Sequence, residues 1–397
     1  MTRLPTDALQ AIVQRLPTPR DEDWKYTDLS RAREISERWL GAGAAVPAAV
    51  LADDIERITS DIDANWFVIA NGELTILTKS VGVAVEKVKE PPAMEGSLAE
   101  LNAALLIDGL RIRVDAELEK PLGLLIIDHA DEASVSQAFI HVEFASHSAG
   151  QIIEYHTSSG SADQYANTIV TIDVGDNASV RHVRIQDRAR THVQTGRTMV
   201  DVGRDARFQS SGFDLGGGLI RNDMIIDISN PGADVSFDGL YLAGDGQHID
   251  NHTRVDHRVG PAMSRQEYRG ILNGKCRCIW NGKAIVHEGA DGTDADQANH
   301  NLLLSDKAEI DAKPELEIYT DDVKCSHGTT VGQLDETALF YLRSRGLDKQ
   351  HAAQIMTHAF AAGLVGRAPV EVAREKITAL VEARLAALIH SDEDFSE

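Results

Sequence analysis

Apolar residues recur along this chain with two different periods, and the changes of period divide it. From Thr6 to about Leu40 the spacing is helical. Leu9, Ile12, Val13 and Leu16 lie three to four apart, Pro17 and Pro19 stop the run, and a charged helical stretch follows from about Leu29 to Leu40. Residues 41–121 are mixed, with an acidic stretch and with Pro91-Pro92 marking a mobile connection, and pattern alone places no element there before the strand-like apolar run Leu122 to Ile127.

In the long middle, alternation with period two takes over and repeats. Strands end on the apolar pairs Val142 and Phe144, Ile172 and Val174, Val200 and Val202, and Ile226 and Ile228. Each pair is followed by a turn that restarts at Gly150-x-Ile152, Ala178-x-Val180, Ala206-x-Phe208 and Ala233-x-Val235, in steps of 28, 28 and 27 residues, with Ala308-x-Ile310 read as a further member. Two-residue alternation at a period in the twenties, without intervening helices, is the mark of stacked strand coils that bury their inner faces only against their neighbours. A β-helix is therefore expected, with an antiparallel sandwich as the alternative. After Leu334 the helical period returns. Asp335 caps a helix closed by Gly346, Asp348 caps a second, and Pro369 opens a third with the stripe Ile377, Val381, Leu385 and Leu388, before an acidic tail. The expected division is 1–60 helical, 61–334 β-helix and 335–397 helical, the last detaching as a unit at modest cost to the coils.

Charge narrows the function. With 62 acidic against 39 basic residues among 397 and a formal net charge of -23, a non-specific hold on nucleic acid or on an anionic membrane would work against the protein's own field. Three cysteines do not make a disulfide framework, no signal-peptide pattern is present, and no apolar run approaches the roughly 20 residues that span a bilayer. A soluble protein of a reducing cytoplasm is expected.

Four groups of residues could carry chemistry. His248, Asp250 and His252 alternate onto one strand face, with Asp256 and His257 close behind, and could form a metal triad or simply hydrogen-bond one another. Cys276 and Cys278 also share a face, but two thiolates are half of a cluster's usual ligand set, which favours a structural role. Cys325 and His327 share a third face, and Lys324 beside them could bias the thiol toward thiolate. That pair could bind iron, given further ligands. It could also act as nucleophile and base with Asp321 or Asp322 as the orienting carboxylate, or be a buried cysteine beside a satisfied histidine. No G-x-x-x-x-G-K-[ST] loop is present, so a nucleotide would belong to a partner.

The string DDVKCSHGTTVG running into LFYLRSRG closely resembles the C-terminal signature of the SufB/SufD family, in its SufD branch. EDWKYTDL at Glu22 to Leu29, QHIDNHTRVDH at Gln247 to His257 and YRGILNGK at Tyr268 to Lys275 are similar to the same family, so the resemblance covers nearly the whole chain. It implies a right-handed parallel β-helix between helical regions and a non-catalytic scaffold subunit for iron–sulfur cluster assembly. The implied partners are SufB and the ATPase SufC, with a homodimer possible for the isolated chain. It further implies that His327, with Cys325, stands where a transient cluster is shared with SufB, His327 being the metal ligand, and that no cofactor is tightly bound. SufC would dock on the C-terminal helical region, for which Phe340, Tyr341, Arg343 and Arg345 are the candidates. Thr329 replaces an alanine expected in many relatives, and Cys276 and Cys278 stand where small or apolar residues are expected, so no family role passes to them. The competing functions are a polysaccharide-acting β-helix enzyme, for which 5% aromatic residues offer few sugar-stacking platforms, and a SufB-like homodimeric scaffold.

Overall fold

The computed structural model describes residues 4–44, 51–77 and 82–390. The chain begins with α1 (Thr6–Gln14), α2 (Ser30–Gly41) and α3 (Ala52–Asp61), and continues through β1 (Asn65–Ala70), β2 (Glu73–Ile76), β3 (Val83–Val88), α4 (Ser97–Leu105) and β4 (Gly109–Val114). Elements thus fill much of the stretch that periodicity left unplaced, and Pro91-Pro92 lies in the connection between β3 and α4.

Fifteen strands follow without a helix between them. They are β5 (Leu122–His129), β6 (Ser134–Phe144), β7 (Ala149–Ser159), β8 (Gln164–Val174), β9 (Ser179–Asp187), β10 (His192–Val202), β11 (Arg207–Asp214) and β12 (Leu219–Ile228), then β13 (Asp234–Ala243), β14 (His248–His257), β15 (Met263–Leu272), β16 (Arg277–Val286), β17 (Thr293–Leu303), β18 (Glu309–Ile318) and β19 (Val323–Gly332). Odd-numbered strands from β5 onward form one parallel sheet (sheet A) and even-numbered strands from β4 onward a second (sheet B), so each coil gives one strand to each. This is the expected β-solenoid and not a sandwich, since Val202 pairs with Ile228 in parallel register.

The four apolar pairs read from the sequence form two unbroken columns in sheet B. Val142, Ile172, Val200 and Ile226 are successive register partners, as are Phe144, Val174, Val202 and Ile228, all at most 2% exposed. Stacking of like residues is what parallel coils require, because each strand's inner side chains are covered only by the coils above and below. In sheet A, Val180, Phe208 and Val235 align as expected. Two repeat members need correction. Gly150 pairs with Val180 and not with Ala178, and at this inward position an ideal Cβ would lie only 2.7 Å from the Phe144 ring. Ile310 belongs to sheet B, opposite Cys278. Coil length varies, so a spacing of about three periods does not guarantee the same sheet.

The helices α1, α2 and α4 cover the outer face of sheet B, and the C-terminal helices cover that of sheet A. Leu9, Val13, Trp24, Ile35 and Leu101 form one core with Val135, Tyr165 and Val193 of sheet B. After β19, α5 (Glu336–Ser344), α6 (Lys349–Val365) and α7 (Arg374–His390) return along the molecule, with Asp335 and Asp348 accepting from the first-turn N–H groups of α5 and α6 as expected. The α7 stripe of Ile377, Val381, Leu385 and Leu388 buries against Ile153, Val183, Ile185, Phe213, Leu240 and Leu242 of sheet A. Polar ties reinforce it, with Arg384 to Asp187 at 2.5 Å and Asn273 Nδ2 donating to the Leu388 carbonyl at 2.7 Å. The expectation that these helices detach at modest cost is therefore overturned: at roughly 1.5–3 kcal/mol per large buried apolar side chain, they form an integral part of a shared core. The acidic tail lies outside the described residues.

Candidate functional site at the open end of the solenoid

One end of the coil stack is closed by antiparallel pairings, β1 with β2 and β3 with β4. At the other end β18 and β19 each have a single neighbour strand, and most of β19 is exposed. Such unpaired edges offer N–H and C=O groups to a further strand. Exposed apolar residues gather in this part of the chain: Ile318, Tyr319 and Val331, then Phe340 and Tyr341 on α5, with Phe340 72% exposed.

Register decides which β19 residues face inward. Cys325, His327 and Thr329 pair with Ala295, Gln297 and Asn299, which are all buried in the lumen. Cys325 and His327 thus share one face, as alternation required, and that face is the exposed continuation of the inner column. Ser326 and Thr330 point outward, to Asp296 and to His300 Nδ1. Lys324 alternates outward too, so it does not activate the thiol. The Cys325 thiol is pushed up by burial, with a smaller contribution from Asp294, and the expectation of a lysine-favoured thiolate is corrected. Neither Asp321 nor Asp322 forms a side-chain hydrogen bond to His327 among the described residues, which leaves the nucleophile-and-base reading without its orienting group. No cluster of three or more His, Cys, Asp or Glu side chains among the described residues is placed to hold a metal ion.

The alternation of His248, Asp250 and His252 is correct, but their face receives the N-terminal segment. Thr27 Oγ1 lies 2.5 Å from Asp250 and 2.8 Å from His248 Nε2, and Arg221 reaches Asp250 at 2.6 Å and the Asp23 carbonyl at 3.0 Å while stacking on the Trp24 ring. Tyr26 carries Arg277 over its ring. Burial opposes ionisation of Asp250, but Arg221 and His252 outweigh it and hold the carboxyl well below its usual range. The strings EDWKYTDL and QHIDNHTRVDH are thus two halves of one contact. Cys276 and Cys278 lie in the apolar lumen as free thiols, and burial pushes Cys278 far up. At the end of α5, Arg345 stacks on Tyr341 and donates to its hydroxyl at 3.1 Å.

Sequence reasoning missed a polar column inside the solenoid. Glu154, His156, His182, Arg184, Arg188 and Asp214 occupy inward positions and are at most 8% exposed. Glu154 accepts from His156 at 2.5 Å and His182 at 3.1 Å, Arg184 pairs with Asp214 at 3.1 Å, and Arg188 with Asp128 at 2.5 Å. Burial disfavours the Glu154 carboxylate, yet its two histidine donors keep it ionised. Toward the open end Phe237, Tyr241 and Tyr268 interrupt the column, and Gln297, Asn299 and Asn301 then line the inner face of β17, where Gln297 pairs with His327. Its signal was present: His182, Arg184 and Gln186 continue the inward alternation begun by Val180, but charged residues in period two read as a solvent face until the coil closes over them.

Comparison with known proteins agrees with this architecture. Residues 125–360 match the family model described as SUF system FeS cluster assembly, SufBD core domain. The chain is 28% identical over 384 residues to the iron–sulfur cluster assembly protein SufD of Escherichia coli, covering 93% of this chain and 89% of that protein. It is also 28% identical to a SufBD family protein of Synechocystis (93% and 88% covered) and to SufD of Bacillus subtilis (73% and 67%). With more than half of its length inside the family model and the solenoid that the resemblance implied, the chain belongs to the SufBD family of the SUF iron–sulfur cluster assembly system.

Proposed function

We propose that this protein is the SufD-type, non-catalytic scaffold subunit of a SUF assembly complex, holding no tight cofactor of its own. In this reading its open solenoid end meets SufB, and His327 is offered there as a transient ligand to the cluster cargo, with Cys325 in support. The observation that carries it is the placement of His327: on an inner face, at the terminus of the coil stack, on a strand with a free edge. A neutral imidazole is a competent iron ligand, and the remaining ligands would come from the partner. Pairing at this end is supported by the free edges of β18 and β19 and by the exposed Ile318, Tyr319 and Val331. Two copies of the isolated chain could use the same surface. SufC would dock on the C-terminal region, 335–397, through the exposed Phe340 and Tyr341 and the basic Arg343 and Arg345 of α5 and its end. Family membership favours this reading over a polysaccharide-acting enzyme.

The test is His327→Ala in cells that depend on this protein, scored for iron–sulfur enzyme activity with the complex pulled down in parallel. Loss of activity with the complex intact is expected, because one exposed side chain is a small part of a subunit interface. Normal activity rejects the role of His327, and loss of the complex makes it structural.

A further inference from the structure

The inner column contains two glycines on opposite sheets, Gly196 of β10 and Gly212 of β11, where the alternation would otherwise place side chains in the lumen. Both line a small cavity of about 20 Å³. Six buried polar atoms on its lining residues make no hydrogen bond in the protein; Arg184 Nη1 and His252 Nε2 each lie 3.1 Å from a carboxylate, of Asp214 and Asp250, which leaves four with no such partner: His156 Nδ1, Thr168 Oγ1, Gln194 Nε2 and Asn251 Nδ2. All four residues are at most 2% exposed. A buried donor or acceptor left unmade keeps the full penalty of its lost hydration, so four around one cavity is a strong demand for a ligand.

The orientation of each group is fixed by its other end. Gln194 Oε1 accepts from Arg188 Nε at 2.5 Å, which turns the amide Nε2 away as a donor. Asn222 Nδ2 donates both to Asp214 at 3.1 Å and to Asn251 Oδ1 at 3.1 Å, which leaves Asn251 Nδ2 as a second donor. His156 gives its Nε2 proton to Glu154, so its Nδ1 is an acceptor. The site thus presents two donors, one acceptor and one hydroxyl that can be either. An anion cannot serve the Nδ1 acceptor. The charges of the lining each already have a partner, Arg184 with Asp214, Glu154 with His156 and His182, Arg197 with Asp223 and Asp238 with Arg367, which calls for a neutral ligand. A water needs about 10–15 Å³ of such space and two to four polar partners.

We propose that this cavity is a built hydration site holding one or two long-lived waters, which join the Glu154–His156–His182 cluster to the Arg188–Gln194 and Asp214–Asn222–Asn251 clusters across the lumen. A Cβ added at Gly196 would lie 3.2 Å from Asn222 Oδ1, and one at Gly212 would lie 3.1 Å from Arg184 Nη2, so both glycines relieve crowding beside the site. Thr168→Val tests it in the full chain, because the exchange keeps shape and removes only the hydroxyl. If water occupies the site, Val removes one of its partners, and the midpoint of thermal unfolding falls by roughly 2 °C. If the site is dry, Val removes an unpaired buried hydroxyl and the midpoint rises. Magnetic relaxation dispersion of water ¹⁷O and ²H supplies the second readout. The wild-type protein should show long-lived internal water that Thr168→Val, or Gly196→Ala filling the same space, reduces. A raised or unchanged midpoint with no change in dispersion overturns the proposal. So does a wild-type midpoint that climbs with chloride concentration and loses that dependence in the variant, since this would assign the site to an anion.

Discussion

Replacing Asp250 by Asn tests whether the N-terminal segment is held by the buried ion cluster on β14. The carboxylate side chain is 1% exposed and is shared by Arg221, Thr27 and His252 at 2.6, 2.5 and 3.1 Å. Asparagine keeps the volume and one acceptor but removes the charge. Arg221 is itself only 3% exposed, so the change leaves a buried guanidinium short of its counter-ion. Breaking a buried pair costs about 3–5 kcal/mol, and because Asp223 still holds Arg221 Nε at 2.8 Å, the lower bound of about 3 kcal/mol applies. The loss should be local first. Thr27, Trp24 and the Asp23 carbonyl all meet this cluster, so the segment around residues 22–29 should open before the coils do. Urea unfolding followed by tryptophan fluorescence should show a lowered midpoint, and limited trypsin digestion should cut earliest at Lys25 or Arg31. The sign with pH follows from the depressed folded-state value. The unfolded carboxyl titrates near about 3.9, so the contribution is complete above that pH and is lost as pH falls through the lower folded value. An unchanged midpoint and unchanged trypsin resistance in Asp250→Asn would refute the reasoning.

His257 is buried beside Ser264 and its imidazole is pushed down to about 4 by burial. Between that value and the unfolded one near about 6.5, only the unfolded chain takes up the proton, so stability falls as pH drops through this window, by on the order of 3 kcal/mol. His257→Gln should flatten that part of the stability curve, and an identical slope would dismiss the assignment. Truncation after Leu334 should not leave a well-behaved solenoid. It uncovers Val183, Ile185, Phe213, Leu240 and Leu242 together, and aggregation or a sharply lowered midpoint in size-exclusion chromatography and thermal unfolding is expected. A monomeric, fully stable truncated protein would contradict the shared core. SufC docking is better tested by Phe340→Asp, which alters an exposed residue; retained SufC capture at wild-type level would move the docking site elsewhere. Cys325→Ser should impair cluster assembly in cells less than His327→Ala, because burial keeps the thiol protonated; equal loss in both variants would make the cysteine a ligand in its own right.

What was legible in the sequence was whatever obeys a local rule. Strand alternation and the recurrence of apolar pairs placed Val142, Ile172, Val200 and Ile226 in one column, because parallel coils stack like on like and the spacing of a coil is written in the chain. The caps Asp335 and Asp348 were equally readable, since a cap acts within three residues of itself. The shared face of Cys325 and His327 followed from alternation too. What only the tertiary structure decided was which side of each strand is enclosed and what covers the other. Alternation groups His248, Asp250 and His252 on one face but cannot say that Thr27, more than two hundred residues earlier, lies upon them. The same ambiguity hid the lumen: Val180 and His182 point the same way, and one of them looks like core and the other like surface until the coil is closed. It also made the α7 stripe look self-contained, although its partners are strands of sheet A distributed over several coils. Periodicity is a property of neighbouring residues, whereas burial is a property of the pairing of distant ones, and a solenoid separates the two more widely than most folds because every coil is covered by parts of the chain far from it in sequence.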